Sequence, residues 1–294
     1  MYCSVRDCMV MADEFPSAVE GMRHLGVDAV EIALSDGLEV CAMDSNENIK
    51  LASDEDARAY RKHLDALGIR GTAFLTVCDF SAGDFESNAR WVARAIELAD
   101  ILGMPAVRID SAMRRERELD FGTRVDLFAK GLGAALERTA GSKVALGIEN
   151  HGYQGNNLAF QLNVYKAVGS QRLGSTMDTG NFYWRGYPLS EVYGILNILA
   201  PFTKHTHLKN IKYPPEEREI MREAGWEYEK YVSPIDEGDI DHAKVLRLLA
   251  EAGYKGDICL EDESLGHFKP GQERMEVLER DVAHIKAIIA SVAS

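Results

Sequence analysis

His24-Leu25-Gly26-Val27-Asp28-Ala29-Val30-Glu31-Ile32 reads as the last turn of a helix, a stop, and a short buried strand. The glycine can adopt the left-handed backbone that ends a helix, and a brief apolar run follows at once. The same joint recurs at Ala66-Leu67-Gly68 before Ile69 to Leu75, at Ile101-Leu102-Gly103 before Ala106 to Ile109, and at Ala252-Gly253 before Asp257 to Glu261. Gly26, Gly68 and Gly103 are spaced by 42 and 35 residues, each the size of one strand–helix unit with its loops.

Between these joints the apolar residues have a helical period: Trp91, Ala95, Leu98 and Leu102 step by four, three and four, and Leu278, Val282, Ile285, Ile289 and Val292 alternate four and three. The strands are apolar on both faces, as parallel strands are when helices cover one side and a barrel interior the other. In order they are Tyr2–Val5, Ala29–Leu34, Gly71–Leu75, Ala106–Ile109, Val144–Glu149, Leu173–Asp178, Thr203–Leu208 and Ile258–Glu261. Eight alternating units, with no GxGxxG turn after the first strand, predict an α/β fold, a single (β/α)8 TIM barrel occupying 1–294 as one domain. One long connection, Asn210 to Asp236, lacks periodicity and carries Tyr213, Trp226, Tyr228 and Tyr231. Such a loop serves as a lid or as the contact surface of a homo-oligomer.

The chain has 294 residues, 47 Asp+Glu against 33 Lys+Arg, and a net charge of −14. That excess argues against nucleic acid and anionic membranes as partners, since both are bound by clustered Lys and Arg. Charges interrupt Met1-Tyr2-Cys3-Ser4-Val5-Arg6-Asp7-Cys8 too early for a secretory segment, and no apolar run reaches the roughly 18 residues of a membrane span, so a cytoplasmic protein is expected. The five cysteines are scattered without a CxxC pair, so buried reduced thiols are expected.

In such a barrel the active site lies at the C-terminal ends of the strands. Strands five to eight close on Glu149, Asp178, His207 and Glu261. Three carboxylates converging on one rim repel and take up protons unless a cation neutralises them, and the imidazole adds a nitrogen ligand. Singly, each could be a helix cap or a solvated loop residue; four in a row point to one divalent metal ion. With oxygen and nitrogen donors and no thiolate the set favours Mn²⁺ or Mg²⁺, while Co²⁺ and Zn²⁺ are compatible. His205 has the same strand phase as His207 one layer deeper, either behind the ligands or in the core.

Gly26-Val27-Asp28-Ala29-Val30-Glu31, Gly147-Ile148-Glu149-Asn150-His151-Gly152, Met177-Asp178-Thr179-Gly180-Asn181, His205-Thr206-His207-Leu208-Lys209-Asn210 and Gly256 through Asp262 together make the chain similar, over nearly its whole length, to the xylose-isomerase-like barrel superfamily. That superfamily includes ketose 3-epimerases, inosose dehydratases, sugar-phosphate isomerases/epimerases and apurinic-site endonucleases. The resemblance implies that Glu149, Asp178, His207 and Glu261 hold one divalent ion and that both glutamates double as acid and base. The endonucleases draw further histidines from earlier strands, absent from Phe74-Leu75-Thr76 and Val107-Arg108-Ile109-Asp110, so a trinuclear site is not expected. Ketose 3-epimerases carry His where this chain has Asn181, which argues against a free-ketose 3-epimerase.

The remaining rim candidates are Arg6, Glu31, Arg108, Asn181 and His205 for substrate binding, and His151 and Lys209 beside the two glutamates for catalysis. An ion pair is the alternative role for each Arg and for Lys209. The expected activity is metal-dependent isomerisation or epimerisation of a sugar, polyol or keto-sugar through an enediolate, with Glu149 and Glu261 exchanging the α proton. The rival is a lyase that expels a β-substituent from the same enolate, as in inosose dehydration or opening of a 3-keto-glycoside, with His151 or a Glu as base. Phosphodiester cleavage and non-catalytic sugar binding rank below both.

Overall fold

The computed structural model describes residues 1–11 and 14–293. Eight strands, β1 (Tyr2–Arg6), β2 (Ala29–Ala33), β3 (Arg70–Thr76), β4 (Ala106–Ile109), β5 (Ala145–Glu149), β6 (Leu173–Asp178), β7 (Thr203–His207) and β8 (Asp257–Leu260), form one sheet. Their order is β8-β1-β2-β3-β4-β5-β6-β7 with every pair parallel, the (β/α)8 barrel that the repeated joints predict. Ends shift by at most one residue from the sequence reading. The seventh strand stops at His207 because Leu208 turns away to bridge Leu260.

That bridge closes the barrel. Leu208 N–H donates to Cys259 O at 2.7 Å, and Glu261 N–H donates to Leu208 O at 3.0 Å. One residue pair deeper the Thr206 hydroxyl substitutes for ladder bonds, donating to Asp257 O at 2.9 Å and accepting from Cys259 N–H at 3.2 Å.

The covering helices are α1 (Ala18–Leu25), α2 (Asp54–Leu67), α3 (Phe85–Leu102), α4 (Phe121–Arg138), α5 (Leu158–Val168), α6 (Leu189–Leu199), α7 (His242–Glu251) and α8 (Gln272–Ala293). Their starts are capped by side chains that accept otherwise unpaired amides: Ser53 and Asp56 form a reciprocal capping box, and Asp84, Asp120 and Asp241 each accept an N–H three residues on. The predicted stops hold, with Gly26, Gly68 and Gly103 at φ of 62°, 74° and 75°. Along α8, Leu278, Val282 and Ile285 are buried against the barrel.

Close packing of the strands is visible at Gly147, where an added Cβ would lie 2.3 Å from Thr176 Oγ1 and 2.9 Å from Thr176 N. Among the cysteines the expectation of buried thiols holds for Cys41, Cys78 and Cys259; all five are free, but Cys3 is half-buried and Cys8, just beyond β1, is exposed. No described helix is long and apolar enough to cross a membrane.

The Asn210–Asp236 connection is more ordered than its lack of period suggests. Asn210–Ile211 pairs antiparallel with Val232–Ser233. Inside it the Arg222 guanidinium is 4.7 Å from the Tyr183 ring centre and 4.3 Å from that of Tyr213, while Trp226 stacks on Tyr231. Tyr213 is buried, so this part of the aromatic cluster packs within the chain. A second hairpin, Glu39–Cys41 with Asn48–Lys50, follows β2 without a sequence signal recognised above.

Candidate metal centre

Strand register delivers the four candidate ligands. Asp178 and His207 are paired across β6 and β7, Glu149 is the last residue of β5, and Glu261 follows β8 directly. One ligand atom from each lies within 4.8 Å of the others, and all four residues are buried.

Each side chain is anchored on one side, and three keep an unpartnered atom. Asp178 Oδ1 accepts the amides of Gly180 at 2.8 Å and Asn181 at 2.6 Å, which leaves Oδ2 without a hydrogen bond. His207 Nε2 contacts Glu31 at 3.0 Å, leaving Nδ1 without one; Nδ1 lies 3.2 Å from Glu261 Oε2 and 3.5 Å from Glu149 Oε1. Glu261 Oε1 takes Arg6, and its Oε2 has no hydrogen-bond donor. Glu149 Oε2 takes Arg108, and its Oε1 accepts from Asn181 Nδ2 at 3.1 Å.

Buried unpaired polar atoms cost free energy, so their convergence needs a partner. The charges agree. Burial, with the neighbouring Glu261 and Glu149 and against Lys209, pushes the Asp178 carboxyl up to about 8. Against burial, Arg108 and then His207 hold Glu149 below the usual carboxylate range, and Lys209, His207 and Arg6 do the same for Glu261. A divalent cation among three oxygens and one nitrogen fits this donor set and this charge.

The other candidates divide by depth. Glu31 and His205 sit beneath the ligands. His205 Nε2 is 2.8 Å from Glu31 Oε1 and its Nδ1 is 3.0 Å from Asp257, so both residues are already partnered inside the barrel. Arg108 is buried and also reaches Asp110 at 3.4 Å; Arg6 also pairs with Glu31 at 3.5 Å. The ion-pair alternative thus describes both arginines here. Lys209 is buried, donating to Glu263 at 2.6 Å and Asn181 Oδ1 at 3.3 Å while lying 3.5 Å from Asp178 and Glu261. His151 stands apart on the rim with 45% of its side chain exposed and Nδ1 3.0 Å from both oxygens of Asp110.

Four residues of this network were not singled out from sequence. Asp110 orients His151, Asp257 holds His205, and Glu263 joins Lys209 to the Tyr228 hydroxyl. Asn150 clamps the backbone of Asp178, donating to its carbonyl and accepting its amide at 2.9 Å each. Asn150 and Asp110 carried a signal, since each is the polar residue directly after the last residue of its strand.

The profile of the xylose isomerase-like TIM barrel family matches residues 19–288, and the chain belongs to that family. No curated protein matches the sequence. Among solved structures, an L-ribulose 3-epimerase superposes with TM-score 0.69 at 17% identity, covering 100% of this chain and 96% of that one. Mannonate dehydratase from Streptococcus suis serotype 2 gives 0.69 at 12%, covering 98% and 93%. The IolI protein with a bound zinc atom gives 0.68 at 15%, covering 99% and 98%. At these identities the likeness is one of fold.

Proposed function

We propose that this chain, read as one barrel domain, is a divalent-metal-dependent isomerase or epimerase of a sugar, polyol or keto-sugar derivative. The observation that carries the reading is the convergence of Asp178 Oδ2, His207 Nδ1 and Glu261 Oε2, all buried and without a hydrogen bond, beside Glu149. Glu149, Asp178, His207 and Glu261 would hold the ion, Mn²⁺ or Mg²⁺ by donor type; the zinc atom bound in the IolI structure is a precedent for Zn²⁺ in this fold. A cation bound there supplies polarisation of an adjacent carbonyl and hydroxyl, which acidifies the intervening C–H.

The protein's own groups set the rest. β5 and β8 lie three strands apart, so Glu149 and Glu261 approach one substrate carbon from two sides and can remove and return its proton. Arg108 and Arg6 grip the outer oxygens of these glutamates and fix their orientation. Asn181 and Lys209 tie Glu149, Asp178 and Glu261 into one frame.

A lyase is the second reading, and one observation favours it. The His151–Asp110 pair stands on the rim with the imidazole partly exposed, a placement suited to proton transfer at a leaving group. The experiment is to incubate the Mg²⁺- or Mn²⁺-loaded protein with 2-keto and 3-keto hexoses in D₂O and follow deuterium and products by NMR. Deuterium at the α carbon that depends on the metal and is abolished in Glu149→Gln and Glu261→Gln supports isomerisation. A released leaving group that depends on His151 supports elimination. Turnover with full retention of the α proton removes both.

A further inference from the structure

Two cavities lie side by side over the β1–β4 half of the barrel mouth. The inner, ≈ 510 Å³, is bordered by Cys8, Met11, Ala33, Leu75 and Val77. The outer, ≈ 680 Å³, is bordered by Val77, Cys78, Trp91, Ala112 and Met113. Asp36 and Val77 line both, so the two adjoin.

The inner cavity borders the C-terminal ends of β2 and β3, on the same end of the barrel as the metal centre. Ala33 and Leu75 are in register and share the strand phase of the Glu31–Ala73 pair below them, which turns them toward the barrel axis. Cys8, on its border, is two residues beyond Arg6, which pairs with both Glu31 and Glu261. On the other flank, Ala112 N–H donates to Asp110, the partner of His151.

The polar groups around the outer cavity are largely engaged within the protein. Asp79 accepts the amides of Ser81 at 2.8 Å and Arg114 at 2.9 Å, and the Asn88 amide donates to Asp79 O and Ala82 O. The Trp91 indole N–H donates to Asp36 O at 3.1 Å, which fixes the ring as a wall. What is left to meet a ligand is largely apolar, and Val77, at the junction, is 53% exposed. The outer volume alone is that of a site for a drug-sized ligand, and a bare monosaccharide at the carboxylates would leave it wet.

We propose that the substrate has two parts: a polyol at the metal centre and an apolar, ring-sized substituent that passes over Val77 into the outer cavity, against Trp91 and Met113. The inference rests on the sugar-processing reading above and narrows the substrate class to glycosides or similar conjugates with an aromatic appendage. Ring-on-indole contact supplies affinity there that a free sugar cannot reach.

The test compares 4-nitrophenyl β-D-glucopyranoside with methyl β-D-glucopyranoside, titrated calorimetrically into the Mg²⁺-loaded protein. The aryl glycoside should bind at least about tenfold tighter. Val77→Asp should remove most of that advantage, Trp91→Ala should reduce it several-fold, and Trp91→Phe, which keeps an aromatic wall, should retain it; the methyl glycoside should change less than about twofold in each. Thermal melts of all variants report folding, and Trp91→Phe against Trp91→Ala keeps the test open should Val77→Asp not fold. Equal affinity of the two glycosides, no binding of either, or variants that weaken both alike would overturn the proposal. A further arm uses 4-nitrophenol on chelator-treated protein. Binding that Val77→Asp abolishes supports the apolar subsite even where deuterium exchange is negative and the isomerase reading fails. Exchange activity combined with equal glycoside affinities keeps the isomerase reading and overturns the subsite.

Discussion

His207 Nε2 lies 3.0 Å from both carboxylate oxygens of Glu31, which in turn is 2.8 Å from His205 Nε2. With Asp257 on the far side of His205, this is a buried chain of four charged or chargeable groups running down the barrel axis. With Nε2–H donated to Glu31 at its upper end, a neutral His207 offers its Nδ1 lone pair to a ligand.

Glu31→Gln keeps the size of the side chain but removes the anionic acceptor. Metal affinity, read by competition with a chelating dye, should fall about 10- to 100-fold, with the fold retained. Unchanged affinity would show that His207 orientation does not depend on Glu31.

Gly147→Ala tests the packing of β5 on β6. The new methyl would stand 2.3 Å from Thr176 Oγ1, and the backbone of Thr176 blocks an easy retreat. A loss of about 1–3 kcal/mol in urea denaturation is expected. Wild-type stability in this variant would contradict the close approach of the two strands.

His242 supplies a pH dependence. Burial holds its imidazole down to about 4, with Nε2 3.2 Å from Thr179 Oγ1 and 3.3 Å from Lys209 O. The native state therefore binds fewer protons than the unfolded chain between that value and the ordinary histidine range near 6.5. This stability is present above about pH 6.5 and is lost as pH falls toward 4, at up to about 1.4 kcal/mol per pH unit. His242→Gln should flatten that part of the urea-midpoint profile, and an identical profile would refute the assignment.

Arg222 holds the long connection after β7. Besides its two tyrosine faces it donates to Ile220 O at 3.1 Å and to Tyr183 O and Tyr187 O at 3.3 Å. Lysine keeps the charge but has neither the planar face nor the fork. Arg222→Lys should cost about 1–3 kcal/mol and speed proteolytic cutting within residues 214–228. Equal cutting rates in variant and wild type would mean that the loop is held elsewhere.

The barrel was readable because its punctuation is local. Gly26, Gly68 and Gly103 stop helices by a backbone property visible in single residues, and each strand follows at once. The convergence of Glu149, Asp178, His207 and Glu261 was readable for the same reason, each lying at the end of its own strand. Partnerships across the barrel were not. Nothing adjacent in sequence links Asp257 to His205 or Asp110 to His151, since the first pair depends on closure of the sheet and the second on the β4–β5 register. Glu31 shows a finer limit. Counted among the rim candidates, it is two residues short of the end of β2, and Ala33 in the same phase takes the place on the rim. The small side chain there leaves space for the inner cavity.

The way the sheet closes has a mechanical consequence. Seven joins of the barrel are strand ladders, while β7 and β8 meet through one bridge and the Thr206 hydroxyl. His207 and Glu261 stand on opposite lips of that join. An ion gripped by both would act as a rivet across the weakest seam of the cylinder, and heat resistance would then climb with the logarithm of free metal concentration. Loading and hoop strength would be two readings of a single event, with amide exchange along Thr206–Leu208 and Cys259–Glu261 slowing as the rivet is set.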